Sequence, residues 1–235
     1  MRPADLLFTQ GFGTRRECAA LVANGCLDVE GAGVIDDFER ELDVAGDLWF
    51  RVRGGPRWPY RQRALVVMNK PAGYECSQKP RHHASVYSLL PAPLRQRGVQ
   101  AIGRLDEDTT GVLLFTDDGT LVHRLTSPKH HVAKVYEVTC KHAVDDDQVE
   151  RLRAGVLLHD DNETVRAAAC EATGELTLRL TLVEGKYHQV KRMIAAVGNR
   201  VDALERSAFG SVRIDGLVAG EWRWLDADRE FAIQR

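Results

Sequence analysis

The chain has 235 residues, 44% of them hydrophobic, enough for one large domain or two unequal ones, and no stretch approaches the roughly 20 apolar residues of a membrane span. Five dispersed cysteines (Cys18, Cys26, Cys76, Cys140, Cys170) argue against a disulfide framework or a CxxC zinc site and for reduced thiols in a cytoplasm, and the N-terminus lacks the apolar core of a secretory signal. The formal net charge of −2 would argue against a nucleic-acid partner, but Glu75 is the sole acid among the many arginines and lysines between Leu48 and Leu105, and such segregation suits a polyanion as well as a solvated linker.

In chain order, TRRECAALVANG predicts a helix with Thr14 as N-cap and Gly25 beyond its end, and CLDVEGAGVI predicts two short strands around a turn. A helix and hairpin within residues 1–47 bury little surface, so they form an appended unit. Residues 48–63, with RVRGGPRWPYRQR, are read as an arginine-rich linker whose aromatics could stack on bases. From Ala64 the pattern is α+β. ALVVMNK is a buried strand, SVYSLL a short helix closed by Pro91, and GVLLFTDDG a strand ending in an Asp-Gly turn. TLVHRLTS is a helix, AKVYEVTC a strand, DDDQVERLRAG a helix with an acidic start. ELTLRLTLVEG alternates as a strand and runs into KYHQVKRMIAAVGN, which has helical spacing; SVRIDGL and GEWRWLD are short strands. A mixed, largely antiparallel sheet flanked by helices suits this order better than a doubly wound parallel sheet.

Asp106-Glu107-Asp108-Thr109-Thr110 is the chemically loaded cluster. It satisfies the D-x-D-x-T string of haloacid-dehalogenase-type phosphatases, but those place the string at the end of an apolar strand, and here the apolar strand follows. It also grazes a calcium loop, without the bidentate glutamate or the flanking helices. The histidine pairs His82-His83 and His130-His131 lack co-ligands, so no metal is expected.

A longer match takes in more of the chain. Gly103 to Gly119 resemble the G-R-L-D-x-x-T-x-G signature of the RNA pseudouridine synthases. Asn69-Lys70-Pro71-Ala72-Gly73 resembles their NKPxG motif, Lys134-Val135-Tyr136 their K-x-Y motif, and Glu184 to Met193 their EGxxxQVxRM motif. Residues 1–47 resemble the S-four-type RNA-binding domain through Gly13-Thr14-Arg15-Arg16 and Val29-Glu30-Gly31. SPKHHVAKVYEVT and EGKYHQVKRMIAAVGN are similar to the branch that modifies a single uridine of 16S small-subunit ribosomal RNA, of the uridine-516 type. Lys191 stands where the wider superfamily has arginine.

The resemblance implies a small N-terminal RNA-binding domain, the linker, and a pseudouridine synthase catalytic domain over 64–235. The activity it implies is isomerisation of uridine by a monomer acting on 16S RNA or a small-subunit assembly particle, with no cofactor. It assigns Asp106 as the essential carboxylate, Tyr136 as the ring stacked on the target base, and Lys191 as the counterion of Asp106. Arg104 enters the space left by the flipped nucleotide or clamps its phosphate. Arg15, Arg16, Lys186, Gln189 and Arg192 are further RNA-binding candidates, with His188 a weaker one. Glu107 and Asp108 are expected to be solvated loop residues or partners of Thr109 and Thr110.

Overall fold

The structure is a computed structural model that describes residues 1–158 and 162–231; the last four residues of the expected catalytic domain, 232–235, lie outside them. Two compact units emerge. The first comprises Met1–Ala64 and Leu90–Val99, the second Leu65–Leu89 and the chain from Gln100 onward. Among the described residues no helix is long and apolar enough to cross a membrane.

In the first unit α1 (Pro3–Thr9) is followed by α2 (Arg15–Ala23). Thr14 caps α2 as its sequence predicts: its Oγ1 accepts from the Glu17 N–H at 3.3 Å, and the Glu17 carboxylate accepts the Thr14 N–H at 2.7 Å. Strands β1 (Leu27–Val29) and β2 (Gly33–Ile35) form the expected antiparallel hairpin. The segment expected as a linker is structured instead. It carries β3 (Trp49–Val52) and β4 (Trp58–Pro59), which extend the sheet in the order β2-β1-β3-β4. Phe50 and Trp58 are buried, and the Phe12 ring packs edge-on against them with centroids 5.5 and 5.4 Å away; this aromatic core lies in a stretch whose arginines, glycines and prolines mask it. Part of the positive charge is also neutralised locally. Arg57 pairs with Glu30, its Nη2 2.8 Å from Oε2, and lies over the Trp49 ring at 3.8 Å; Arg61 pairs with Asp47 at 3.4 Å. The short helix α3 (Ala92–Gln96) belongs to this unit, where Arg97 donates to the buried Gln10 side chain at 2.7 Å.

The second unit begins with β5 (Leu65–Lys70), then β6 (Tyr74–Glu75) and β7 (Ala84–Ser85), which pair in parallel. A single 3-10 turn, Val86–Leu89, takes the place of the short helix expected at SVYSLL. Next come β8 (Gln100–Ile102), β9 (Thr110–Thr116), α4 (Gly119–Thr126), β10 (Lys134–Cys140) and α5 (Asp146–Ala154). The hairpin of β11 (Val156–Leu158) and β12 (Glu163–Val165) leads to β13 (Ala169–Gly174), β14 (Thr177–Leu182) and α6 (Gln189–Ala196). The chain closes with β15 (Val201–Phe209), β16 (Trp222–Trp224) and α7 (Ala227–Glu230). The main sheet runs β13-β14-β10-β15-β9-β5-β16, with β8 also on β9; β15 on β9 is its parallel pair, and the other pairs are antiparallel. This is the mixed, largely antiparallel α+β arrangement the element order predicts.

Three details depart from expectation. Asp118 and Gly119 do not form a separate turn after the strand; the Asp118 carboxylate caps α4, which starts at Gly119, accepting the Thr120 and Leu121 N–H groups at 2.9 and 3.2 Å. SVRIDGL is not a strand and carries one bridge, Phe209 to Val212, because Gly210 and Gly216 turn the chain at positive φ. The long strand β15 takes its place in the centre of the sheet. Its inward positions include Leu204 and Ala208 but also Arg206, so the apolar alternation that announces a strand is interrupted. Where β15 meets β9, a Cβ on Gly111 would lie 2.4 Å from the Arg206 carbonyl oxygen. The last glycine of G-R-L-D-x-x-T-x-G is therefore a requirement of strand approach.

Candidate active site

The acidic cluster sits on the loop between β8 and β9, and a cation holds that loop from beneath. Lys70, the last residue of β5, is fully buried, and its Nζ donates to the carbonyls of Pro71, Glu107 and Thr109 at 3.0, 3.1 and 2.9 Å. The Gly73 N–H bonds the Glu107 carbonyl at 2.8 Å, and the Leu105 N–H bonds Cys76 Sγ at 3.5 Å. Burial pushes the Lys70 ammonium below its ordinary range, against the pull of Cys76 and the three acids. The lysine and glycine of NKPxG thus set the backbone that presents Asp106.

Helix α6 supplies the cation above the cluster. Lys191 Nζ stands 3.3 Å from Asp106 Oδ2 and is closer to Asp108, at 2.7 and 2.8 Å from its two oxygens. Asp108 is therefore not a bland loop residue: it shares the ammonium. Burial works to lower the Lys191 value, but the bond to Asp108 and the charges of both aspartates outweigh it and raise it. For Asp108, burial acts upward and is outweighed by Lys191, so its carboxyl is held below the usual range. His188 adds a contact at 3.3 Å from Nε2 to Asp106 Oδ1. It sits at φ +47°, a left-handed conformation rare for a non-glycine residue, with its ring stacked on that of Tyr187 at 3.8 Å.

These groups open on a cavity of about 880 Å³. Strand β10 contributes Tyr136, buried on the face it shares with Lys134, and β15 contributes Arg206. Arg104, exposed, Lys186 and Gln189 also line the cavity. Lys186 pairs with Glu163. Gln189 is buried and spent on its own turn, donating to Glu184 at 2.7 Å and accepting the Lys186 N–H at 2.9 Å. Arg192 donates to the Tyr187 carbonyl at 3.0 Å. Arg15 and Arg16 are exposed on α2 in the first unit, where Arg15 pairs with Asp5 at 3.0 Å. The Thr109 hydroxyl, at the motif's threonine, is buried against the cavity with no protein partner among the described residues. Sequence reasoning did not assign Lys70, Lys134 or Arg206 to the site; the available signals were the NKPxG motif, which contains Lys70, and the K-x-Y spacing, which sets Lys134 on the same strand face as Tyr136.

One wall of the cavity is a basic loop, 76–83, organised by Glu75. Its carboxylate accepts the backbone N–H groups of Arg81, His82 and His83 at 3.0, 2.7 and 2.9 Å, bonds that hold its pKa down at about 2 from an ordinary 4.5. A carboxylate lowered on folding stabilises above its unfolded value and loses that contribution as pH falls through the folded one. Loop order is therefore expected to be full above pH 4.5 and to decay toward pH 2. Glu75→Gln is expected to speed amide hydrogen exchange at residues 81–83 already at neutral pH; unchanged exchange would show that the clasp is not what orders the loop.

Among the described residues no group of three or more His, Cys, Asp or Glu side chains converges as metal ligands.

The sequence model described as RNA pseudouridylate synthase matches residues 64–196. The chain is 44% identical over 186 residues to the ribosomal small subunit pseudouridine synthase A of Escherichia coli (strain K12), covering 79% of this chain and 78% of the relative. It is 39% identical over 230 residues to an uncharacterized RNA pseudouridine synthase of Bacillus subtilis (strain 168), covering 96% and 95%. A solved structure described as a pseudouridylate synthase superposes with a TM-score of 0.68 at 30% identity, over 98% of each chain.

Proposed function

The chain belongs to the RNA pseudouridylate synthase family, and we propose that it converts a single uridine of 16S small-subunit ribosomal RNA to pseudouridine. Its substrate is the free RNA or a small-subunit assembly particle; it works in the cytoplasm as a monomer, without metal or cofactor. The reaction breaks the N1–C1′ bond, turns the uracil and rejoins it through C5, so no atom enters or leaves the nucleoside. What the site must supply is an ionised carboxylate at the sugar–base junction, a group to move a proton, and room for an extruded nucleotide.

The observation that carries this reading is the placement of Asp106. It faces the cavity between Lys191 and His188, 3.3 Å from each, and Asp108 shares the same ammonium. In this reading Asp106 attacks or deprotonates the sugar–base unit, Tyr136 stacks on the uracil with its hydroxyl available for proton transfer, and Lys191 keeps Asp106 charged. Arg104, exposed at the cavity, fills the gap left by the flipped nucleotide, and Lys186 and Arg192 supply positive charge to the flanking backbone. The first unit, resembling an S-four-type domain, presents Arg15 and Arg16 to RNA. The small-subunit assignment is supported by the Escherichia coli relative, whose name gives that substrate.

The test is to incubate the protein with 16S RNA and with small-subunit particles and to map new pseudouridines by sequence position. One modified uridine in the small-subunit RNA is the expected result. Modification confined to large-subunit RNA would overturn the branch, and no pseudouridine on any ribosomal RNA would overturn the substrate class.

A further inference from the structure

Among the described residues, two buried cations at the cavity floor make no ion pair with a carboxylate. Arg206 is 1% exposed and Lys134 7% exposed, and both line the cavity that Asp106 and Tyr136 share. Their hydrogen bonds go to backbone carbonyls: Arg206 donates from Nε to Val112 at 2.8 Å and from Nη2 to Gly103 at 3.2 Å, and Lys134 donates to Val132 at 3.0 Å. Each also lies against the Phe209 ring, with Arg206 Cζ 5.3 Å and Lys134 Nζ 5.4 Å from its centroid. Burial and the neighbouring Arg206 push the Lys134 ammonium below its ordinary range, with only Glu184 pulling the other way. A buried charge costs several kcal/mol unless something compensates it, and carbonyls with one aromatic face compensate two cations poorly.

We infer that Lys134 and Arg206 receive the negative charge that develops on the uracil when its glycosidic bond breaks, so that both are catalytic residues. The inference rests on the proposed isomerisation. As the N1–C1′ bond breaks, its electron pair stays with the base and spreads over N1, O2 and O4, and the sugar carbon is left electron-poor beside the Asp106 carboxylate. When C5 bonds to C1′, the pair returns to the sugar carbon, C5 releases a proton, and N1 takes one up. Between those events the base is an unattached anion that must turn without leaving. Lys134 shares a strand face with Tyr136, and Arg206 is the register partner of Tyr136 on β15. The cations therefore flank the ring assigned to stack on the base, which lets them hold charge on its oxygens in either orientation. Donors set in place where charge develops act most strongly in a water-poor site.

The test is single-turnover loss of the N1–C1′ bond, with RNA carrying either uridine or 5-fluorouridine at the target. Fluorine at C5 stabilises the departing anion, so a protein cation matters less. Lys134→Gln removes the charge and retains an N–H that can reach Val132. Arg206→Lys, which keeps a cation, is compared with Arg206→Met, and all variants are first checked by thermal unfolding. Lys134→Gln is expected to slow cleavage of uridine RNA by about a hundredfold or more, with a clearly smaller defect on 5-fluorouridine RNA. Where Arg206→Met does not fold, Arg206→Lys is still expected to exceed Lys134→Gln in rate. A Lys134→Gln defect of equal size on both substrates, or no defect, overturns the inference and leaves the function standing. A wild-type protein that cleaves neither substrate overturns both.

Discussion

Asp106→Asn is expected to abolish pseudouridine formation, lowering the single-turnover rate by at least about a thousandfold, while RNA affinity and thermal stability stay near wild type. The amide has the same shape but can neither attack the sugar–base unit nor take a proton from it. Stability should survive because Lys191 keeps its two shorter contacts, at 2.7 and 2.8 Å, to Asp108. Asp108→Asn is the informative contrast. It releases Lys191 to Asp106 alone and should cost far less. Were Asp108→Asn dead and Asp106→Asn active, the reacting carboxylate would be Asp108 and the roles within the cluster would be exchanged.

Lys191→Met is expected to lose roughly ten- to a hundredfold in rate. The hydrogen bonds of a charged group are worth about 1.5–3 kcal/mol, and each 1.36 kcal/mol is about tenfold. The variant leaves Asp106 and Asp108 adjacent with no ammonium between them, so Asp108 loses the lysine that holds its carboxyl below the usual range. Because the proposed reaction uses Asp106 as a carboxylate, the loss should be deepest at low pH and recover partly as pH rises. Lys191→Arg, retaining charge with a different shape, should keep measurable activity. The stability gap between wild type and Lys191→Met follows from the two shifts. Lys191 is raised on folding, so its share is lost as pH rises through the folded lysine value; Asp108 is lowered, so its share is lost as pH falls through the folded carboxylate value. The gap should be widest in the neutral range and close at both extremes. A variant as fast as wild type at every pH would mean that another cation neutralises Asp106.

Much of this was legible in the sequence because it depends on local pattern. Thr14 and Gly25 announce the two ends of α2, and the alternation of β10 and β14 announces half-buried strands. What escaped was whatever depends on long-range partners. Strand β15 is hidden because Arg206, a charged residue, occupies an inward position, and only the carbonyls of Val112 and Gly103 on distant segments explain why it can. Strands β3 and β4 are hidden because turn-forming residues surround the two aromatics that make them core. In the site, the motif singled out Asp106 as the candidate carboxylate, but that Asp108 also takes Lys191, on a loop whose backbone buried Lys70 holds, depends on contacts between distant segments.

The parallel contact of β15 with β9 joins Thr110 to Glu205 and Gly111 to Arg206, two segments separated by most of the second unit. Closing so long a chain loop is entropically costly before it is rewarded, and non-local parallel pairing is slow. Hairpins such as β13 with β14 can form early, but Arg206 cannot meet the floor beneath Asp106 until β15 docks. During refolding, recovery of activity should therefore lag behind recovery of sheet signal in circular dichroism. The same dependence makes turnover a reporter of completed assembly: a chain arrested before that step would look largely structured and remain chemically silent.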